Sequence, residues 1–206
     1  MRVALVGGTG SFGVALATRL NKAGYEVVIG SRDEERARAA AATIGVEGMT
    51  NADAAHSADL VVLATKADGA LETARSLREA IGTTPVLSVA AELRFTANGV
   101  LPTPEATSIA ERIQAVLDAP VVAGLHSLAA SNLGGEQVPD EDALVCGDDS
   151  GAKELALELA ERVTGGRAVD AGPLASSRAL EGMTAVIVNV NKRYKAHAGL
   201  RVTGVH

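Results

Sequence analysis

Three glycines carry the first hint of chemistry. Gly8, Gly10 and Gly13 stand at Gly-x-Gly-x-x-Gly spacing in the stretch Gly8-Thr9-Gly10-Ser11-Phe12-Gly13. At that spacing the missing side chains let a chain turn sharply, bring backbone against a pyrophosphate, and pack a helix close to a strand. The stretch follows an apolar run and precedes a helical pattern, so its unpaired N–H groups would lie at a helix start, where an anion is held. A glycine-rich turn without a ligand is the plain alternative. Its place in the chain favours a dinucleotide. A second set follows at Gly30-Ser31-Arg32, where an NAD-binding chain would carry an Asp or Glu for the ribose hydroxyls. No acid stands there. A hydroxyl and a guanidinium suit the extra 2′-phosphate of NADP, to which Arg offers a planar fork of donors. Arg36 lies one helical turn on and can face the same phosphate, unless it pairs with Asp33 or Glu35.

The remaining reactive residues point away from other chemistries. Of the four histidines, His126 alone leaves a predicted strand; His56 sits in a helical turn, and His197 and His206 belong to the tail. A cleft histidine is a general acid or base or a structural donor that holds a loop, and both readings of His126 stay open. No Ser, Cys or Lys has a base partner at readable spacing, and no His or carboxylate cluster resembles a metal site. Asp148 and Asp149 are expected to cap a helix starting at Ser150. Cys146, the one cysteine, excludes an internal disulfide and reads as a small buried hydrophobe. Hydride transfer remains, since it asks the protein chiefly to align two rings and needs no nucleophile.

These residues require a scaffold that gathers strand ends. Strands are predicted at residues 2–6, 26–29, 60–64, 85–89 and 120–124. They alternate with helices at 11–23, 33–43, 67–80 and 105–117, and with a short helical turn at 52–57 capped by Asn51. Periodicity lapses over 90–103, around Gly99 and Pro102, so that stretch reads as a loop. After a polar, Gly-rich passage at 125–142 come a strand at 143–146, a helix at 150–164, a strand at 167–170 and a long helix from Pro173 to about Lys195. The pattern predicts an α/β fold: a Rossmann-type doubly wound parallel sheet with a small C-terminal α/β extension ending in a long helix. Residues 1–135 would form the dinucleotide-binding domain, and 136–206 a region for substrate binding and oligomerisation. In such a sheet ligands lie outside the carboxyl ends of the strands, and the small residues leaving strands three and four would form an open trough.

Composition narrows the partners. The 206 residues are 47% hydrophobic with a net charge of −6, and no basic run offsets it, which argues against nucleic acid. No apolar run is long enough to span a membrane and no basic leader precedes the first strand, so a cytoplasmic protein is expected. The last helix is apolar nearly all round from Met183 to Val190, which predicts burial on every side and a homodimer built on it.

Several stretches together resemble one family, the NADPH-dependent reductases of the deazaflavin coenzyme F420. They are Arg2 to Gly13 (RVALVGGTGSFG), Val28 to Arg32 with Glu34-Glu35, Gly48-Met49 with Asn51 and Asp53, Val145 to Asp149 (VCGDD), and Asp170 to Leu174 (DAGPL) with Ser177-Arg178. The resemblance implies that Thr9, Gly10, Ser11 and Phe12 lie on the pyrophosphate, that Ser31, Arg32 and Arg36 clamp the 2′-phosphate, and that Thr65, Gly69, Ala91 and Ala130 line the rest of the NADP(H) track. It implies F420 as co-substrate, for whose acidic tail Lys66, Arg94 and Arg178 are the nearby cations and His126 a further contact. The chain departs from the family pattern after strand three (Lys66-Ala67), at residues 94–99, and after His126 (Ser127 to Ala130), all around the second substrate. Two alternatives remain open: a reductase of another planar or imine substrate, like the β-hydroxyacid dehydrogenases and imine reductases, and a non-catalytic NADP-sensing module. A short-chain reductase is set aside, because Tyr194 is not followed four residues later by Lys.

Overall fold

The chain runs β1 (Arg2–Val6), α1 (Ser11–Lys22), β2 (Glu26–Ser31), α2 (Glu34–Ala42), β3 (Glu47–Thr50), α3 (Asn51–His56), β4 (Leu60–Leu63), α4 (Ala67–Ser76), α5 (Arg78–Ile81), β5 (Val86–Ser88), β6 (Leu93–Thr96), β7 (Gly99–Pro102), α6 (Ile109–Gln114), β8 (Val121–Gly124), α7 (Ala130–Leu133), β9 (Ala143–Gly147), α8 (Ser150–Val163), β10 (Ala168–Asp170), a 3₁₀ turn at Leu174–Ser176 and α9 (Ser177–Tyr194). This computed structural model describes residues 1–205; His206, assigned to the tail above, lies outside the described residues.

Eight strands form one sheet in the order β10-β9-β8-β5-β4-β1-β2-β3, parallel except where β9 runs against β8. The predicted doubly wound parallel α/β sheet is present, with an antiparallel step at β9 that the sequence pattern does not anticipate. Its central strands are short aliphatic runs because they are buried on both faces. Val3, Leu5, Val62 and Val122 pack into one layer with α1 and α8, while Val6, Val61, Leu63 and Val121 pack into the other with α4, α6 and α9. Each such side chain contributes on the order of 1.5–3 kcal/mol by leaving water.

Sheet order places the site. β1 and β2 lead outward to β3, and the chain then returns through α3 to lay β4 on the other side of β1. Helices leaving β1 and β4 thus diverge at the β1/β4 boundary and leave a crevice at the carboxyl edge. The reversal of β9 matters equally. Because β9 runs back beside β8, the whole connection from Leu125 to Asp142 stays at that edge.

Several local expectations are corrected. Residues 90–103 are not a loop: β6 and β7 pair as an antiparallel hairpin about Thr96-Ala97-Asn98-Gly99. An Asn-Gly turn between short apolar runs is a hairpin signal, outweighed in the sequence by Pro102 and the lapse in periodicity. Helix 67–80 is broken at Leu77 into α4 and α5. The helix expected from residue 105 starts after Ser108, whose capping box with Glu111 satisfies its first turn. Asn51 is not a cap: Thr50 Oγ1 accepts the Asp53 N–H at 3.2 Å, and Asn51 turns inward. Strand β3 goes unpredicted because Glu47-Gly48-Met49-Thr50 has little apolar signal; Gly48 is needed where α2 presses on it, since a Cβ there would stand 2.5 Å from the Ala37 carbonyl.

In the chain's second half Asp149 and Cys146 stand as expected, whereas Asp148 does not cap α8. Asp149 caps α8 by accepting the Ala152 N–H at 2.8 Å, and Asp148 accepts the Leu174 N–H at 2.9 Å, pinning the turn before α9. Cys146 is fully buried, and burial pushes its thiol up to about 12, which leaves it inert.

Candidate functional site

The glycine turn is built as its spacing requires. A Cβ on Gly8 would stand 2.7 Å from the Leu5 carbonyl oxygen, and one on Gly13 2.5 Å from that of Gly8, so strand, turn and α1 approach closer than any side chain permits. Gly10, the N-cap of α1, faces open space. The first-turn N–H groups of Ser11, Phe12 and Gly13 have no acceptor within the helix and are presented there. This end of α1 can hold a diphosphate.

At the end of β2, Ser31 is buried, and its Oγ accepts the Asp33 N–H at 3.2 Å. Asp33 caps α2 by accepting the Arg36 N–H at 3.2 Å. Its side chain is thereby occupied with backbone. Arg38 takes Glu34, and among the described residues neither Arg32 nor Arg36 is in an ion pair; both are exposed. Two uncommitted guanidiniums beside a hydroxyl, with no acid at the strand end, have the chemistry to receive a dianion.

Between the residues that follow β1, β4 and β5 and the 125–142 connection lies a cleft of about 340 Å³. Gly10, Ser11, Phe12 and Gly13 form one side, Thr65, Lys66 and Ala91 the floor and rim, and Leu125, His126 and Leu128 the far wall. Leu93 from the hairpin and Thr184 from α9 complete it. Leu125 adopts a left-handed backbone, φ 66°, and so turns the chain to bring His126 under Ala90. The His126 Nε2 lies 3.1 Å from the Ala90 carbonyl oxygen. A carbonyl only accepts, so Nε2 bears the hydrogen and Nδ1, which is buried and unpartnered, keeps its lone pair. Burial lowers the imidazole pKa to about 4, against the opposing effect of the Ala90 carbonyl. His126 is neutral at pH 7. It is a fixed, uncharged part of the cleft wall and holds no spare proton there. Thr65 Oγ1 is a second buried atom on the wall without a partner.

The structure does not gather every candidate into this cleft. Lys66 stands at its rim, exposed and at the N-cap of α4. Arg94 shares a hairpin face with Leu101, opposite the face on which Phe95 and Val100 turn to α9. Arg178 is exposed on α9, donates its Nε to the Glu105 carbonyl at 3.0 Å, and borders a separate cavity of about 520 Å³. Gly69, in the first turn of α4, has open space beside it, and Ala130 begins α7, which packs on α1. Thr184 is the wall residue that sequence reading passed over; a lone hydroxyl in an apolar helical run was its only signal. No cluster of metal-ligating side chains exists among the described residues.

Comparison with known proteins agrees with this geometry. Residues 2–92 match the family model described as NADP oxidoreductase coenzyme F420-dependent. The F420-dependent NADP reductase of Methanocaldococcus jannaschii is 36% identical across 100% of this chain and 99% of its own length. That of Methanothermobacter thermautotrophicus is 36% identical, across 100% and 96%. A crystal structure of an Arthrobacter sp. FB24 protein superposes with a TM-score of 0.87 at 25% identity, covering 98% of this chain and 99% of the other. An imine reductase of Streptomyces aurantiacus shares the fold, with a TM-score of 0.66 at 21% identity over 95% of this chain and 62% of its own.

Proposed function

The chain belongs to the F420-dependent NADP reductase family, and from that premise we propose that it transfers a hydride between NADPH and coenzyme F420 in the cleft at the carboxyl edge of the sheet. The reaction is F420 + NADPH + H⁺ giving reduced F420 + NADP⁺, and NADPH supplies the hydride. The observation that carries the proposal is the crevice itself. The anion-ready start of α1 opens onto a trough floored by Thr65 and Ala91, with room for flat rings and no cluster of metal-ligating side chains among the described residues.

Roles follow from chemistry. Gly8 to Gly13 receive the diphosphate, and Ser31, Arg32 and Arg36 the 2′-phosphate. Thr65, Ala91 and the Leu125–Leu128 wall flank the reacting rings and exclude water from them. His126, fixed by its Nε2 bond to Ala90, forms the wall beside the rings; the proton taken up by F420 comes from solvent, since a neutral imidazole pinned by Nε2 has none to give. Lys66 at the rim meets the acidic tail of F420, while Arg94 and Arg178 act on it only at longer range. Residues 1–135 would carry NADPH, and 136–206 would complete the second-substrate side through Thr184 and the packing of α9.

We assign the uncovered face of α9 to a second copy of the chain. Ala179, Met183, Val186, Ile187 and Val190 recur at helical spacing, and Val186 is 58% exposed. The 520 Å³ groove runs along this stripe. No helix of the described residues is long and apolar enough to cross a membrane. The supply of NADPH places the reaction in the cytoplasm under this reading. The test is bleaching of the F420 absorbance on adding NADPH, measured in both directions with a free flavin as control. Tight NADPH binding without F420 turnover would defeat the substrate assignment and leave the cofactor site standing.

A further inference from the structure

The glycine turn is held from behind by a residue outside it. Gly8 donates its N–H to the carbonyls of Leu5 and Gly30, each at 3.1 Å, and Gly7 donates to Asn51 Oδ1 at 3.1 Å. Asn51 is 7% exposed, at the first position of α3. It reaches Gly7 because the last residue but one of β2 has no side chain: a Cβ on Gly30 would stand 2.9 Å from Asn51 Oδ1 and 3.2 Å from its Cα. On the other side, Gly7 has a left-handed backbone, φ 70°, and a Cβ there would stand 2.4 Å from Thr65 Cγ2. The turn is therefore wedged between Asn51 and the end of β4.

We propose that Asn51 is a positioning residue for the dinucleotide. Its carboxamide oxygen, seated in the space that Gly30 leaves, fixes the glycine turn against β2 and so sets the distance between the start of α1 and the Ser31–Arg32 strand end. One ligand with two anionic groups must match that distance. A ligand that uses the strand end alone need not. The inference rests on the assignment of NADPH to this crevice.

The experiment compares NADPH with adenosine 2′-phosphate, which carries only the group destined for Ser31 and Arg32, on the full-length wild type, Asn51→Ala, Gly30→Ala and the double variant. Loss of the buried Gly7 contact should raise the dissociation constant for NADPH about tenfold in Asn51→Ala. Adenosine 2′-phosphate binding and the KM for F420 should stay within about twofold of wild type, which general loosening of the fold would not permit. Gly30→Ala should reproduce this pattern by displacing the carboxamide. The double variant should fall well short of the product of the two single losses, because both act through one contact. Unchanged NADPH binding in the single variants, losses that multiply, or adenosine 2′-phosphate lost in step with NADPH would each overturn the proposal. Should Asn51→Ala fail to fold, Gly30→Ala, which keeps every hydrogen-bonding group, decides by the same criteria. A wild type that binds no NADPH would remove the underlying assignment, an outcome visible before any variant is made.

Discussion

Single residues in this chain are tuned by what surrounds them. Arg32 is exposed and in no ion pair among the described residues, so its guanidinium is available to a phosphate without first breaking another bond. Arg32→Ala should weaken NADPH binding by roughly ten- to a hundredfold, about 1.5–3 kcal/mol, and leave NADH binding nearly unchanged; paired titrations of both cofactors measure the difference. His126 and Glu181 supply a second prediction at this scale. Burial lowers His126 to about 4 and raises Glu181 to about 7, although Glu181 accepts the N–H groups of Ile109 and Ala110 at 3.0 and 3.1 Å. For His126 the unfolded chain binds the proton first, so its effect is stability lost as pH falls from 6.5 toward 4. For Glu181 the native chain binds first, so stability is lost as pH rises from 4.5 toward 7. The two slopes oppose between 4.5 and 6.5. Urea midpoints should therefore vary little with pH across that range in the wild type, fall toward acid in Glu181→Gln, and fall toward neutral pH in His126→Asn; parallel profiles in all three would refute the opposition.

At the scale of elements, contacts far apart in sequence decide what the site can do. The β6–β7 hairpin hangs on α9 through Asn189, whose Oδ1 accepts the Val100 N–H at 2.8 Å and whose Nδ2 donates to the Val100 carbonyl at 2.7 Å. The side chain thus replaces a neighbouring strand. Asn189→Ala would leave both backbone groups of Val100 unpaired, at a cost of about 1–3 kcal/mol. Since Leu93 on this hairpin borders the cleft, the KM for F420 should rise severalfold while NADPH binding holds. Steady-state kinetics with each substrate varied checks this, and an equal rise in both constants would refute it. The connection after β8 is fastened comparably: buried Arg19 on α1 donates to the carbonyls of Leu133, Gly135 and Gln137 at 2.8, 2.5 and 2.6 Å. The C-terminal tail is tied to the same connection at Asp142, whose carboxylate is held down at about 2 by the N–H groups of Val202 and Arg167.

For the whole molecule, the expectation that α9 is buried on every side, in part by a second copy, is met on one face only within the single chain. Ser177, Leu180, Glu181 and Ala185 face the core, two of them polar, whereas Val186 and its stripe lie open in the single chain. Water against that stripe is unfavourable by roughly 25 cal/mol per Å² of apolar surface, which a second copy would relieve. Sedimentation at micromolar concentration should show a dimer, and Val186→Glu should shift it to monomer with the sheet intact by circular dichroism. A wild-type monomer would end the assignment.

The sequence by itself determined the parallel core and marked the two candidate anion sites, because both are local. Gly8, Gly10 and Gly13 announce their turn by spacing, Arg32 by replacing an acid, and each aliphatic run by its length. Only the tertiary structure decided how these pieces meet. Nothing near Asn51 in the chain shows that its oxygen reaches Gly7, forty-four residues away, or that Gly30 is small for its sake. The hairpin at 93–102 needs Asn189 to hold it, and the reversal of β9 that keeps His126 at the carboxyl edge depends on β8 already lying in the sheet. Spacing along the chain records how a segment bends; which segment fills the space beside it is settled by packing, when side chains separated by dozens of residues compete for one volume.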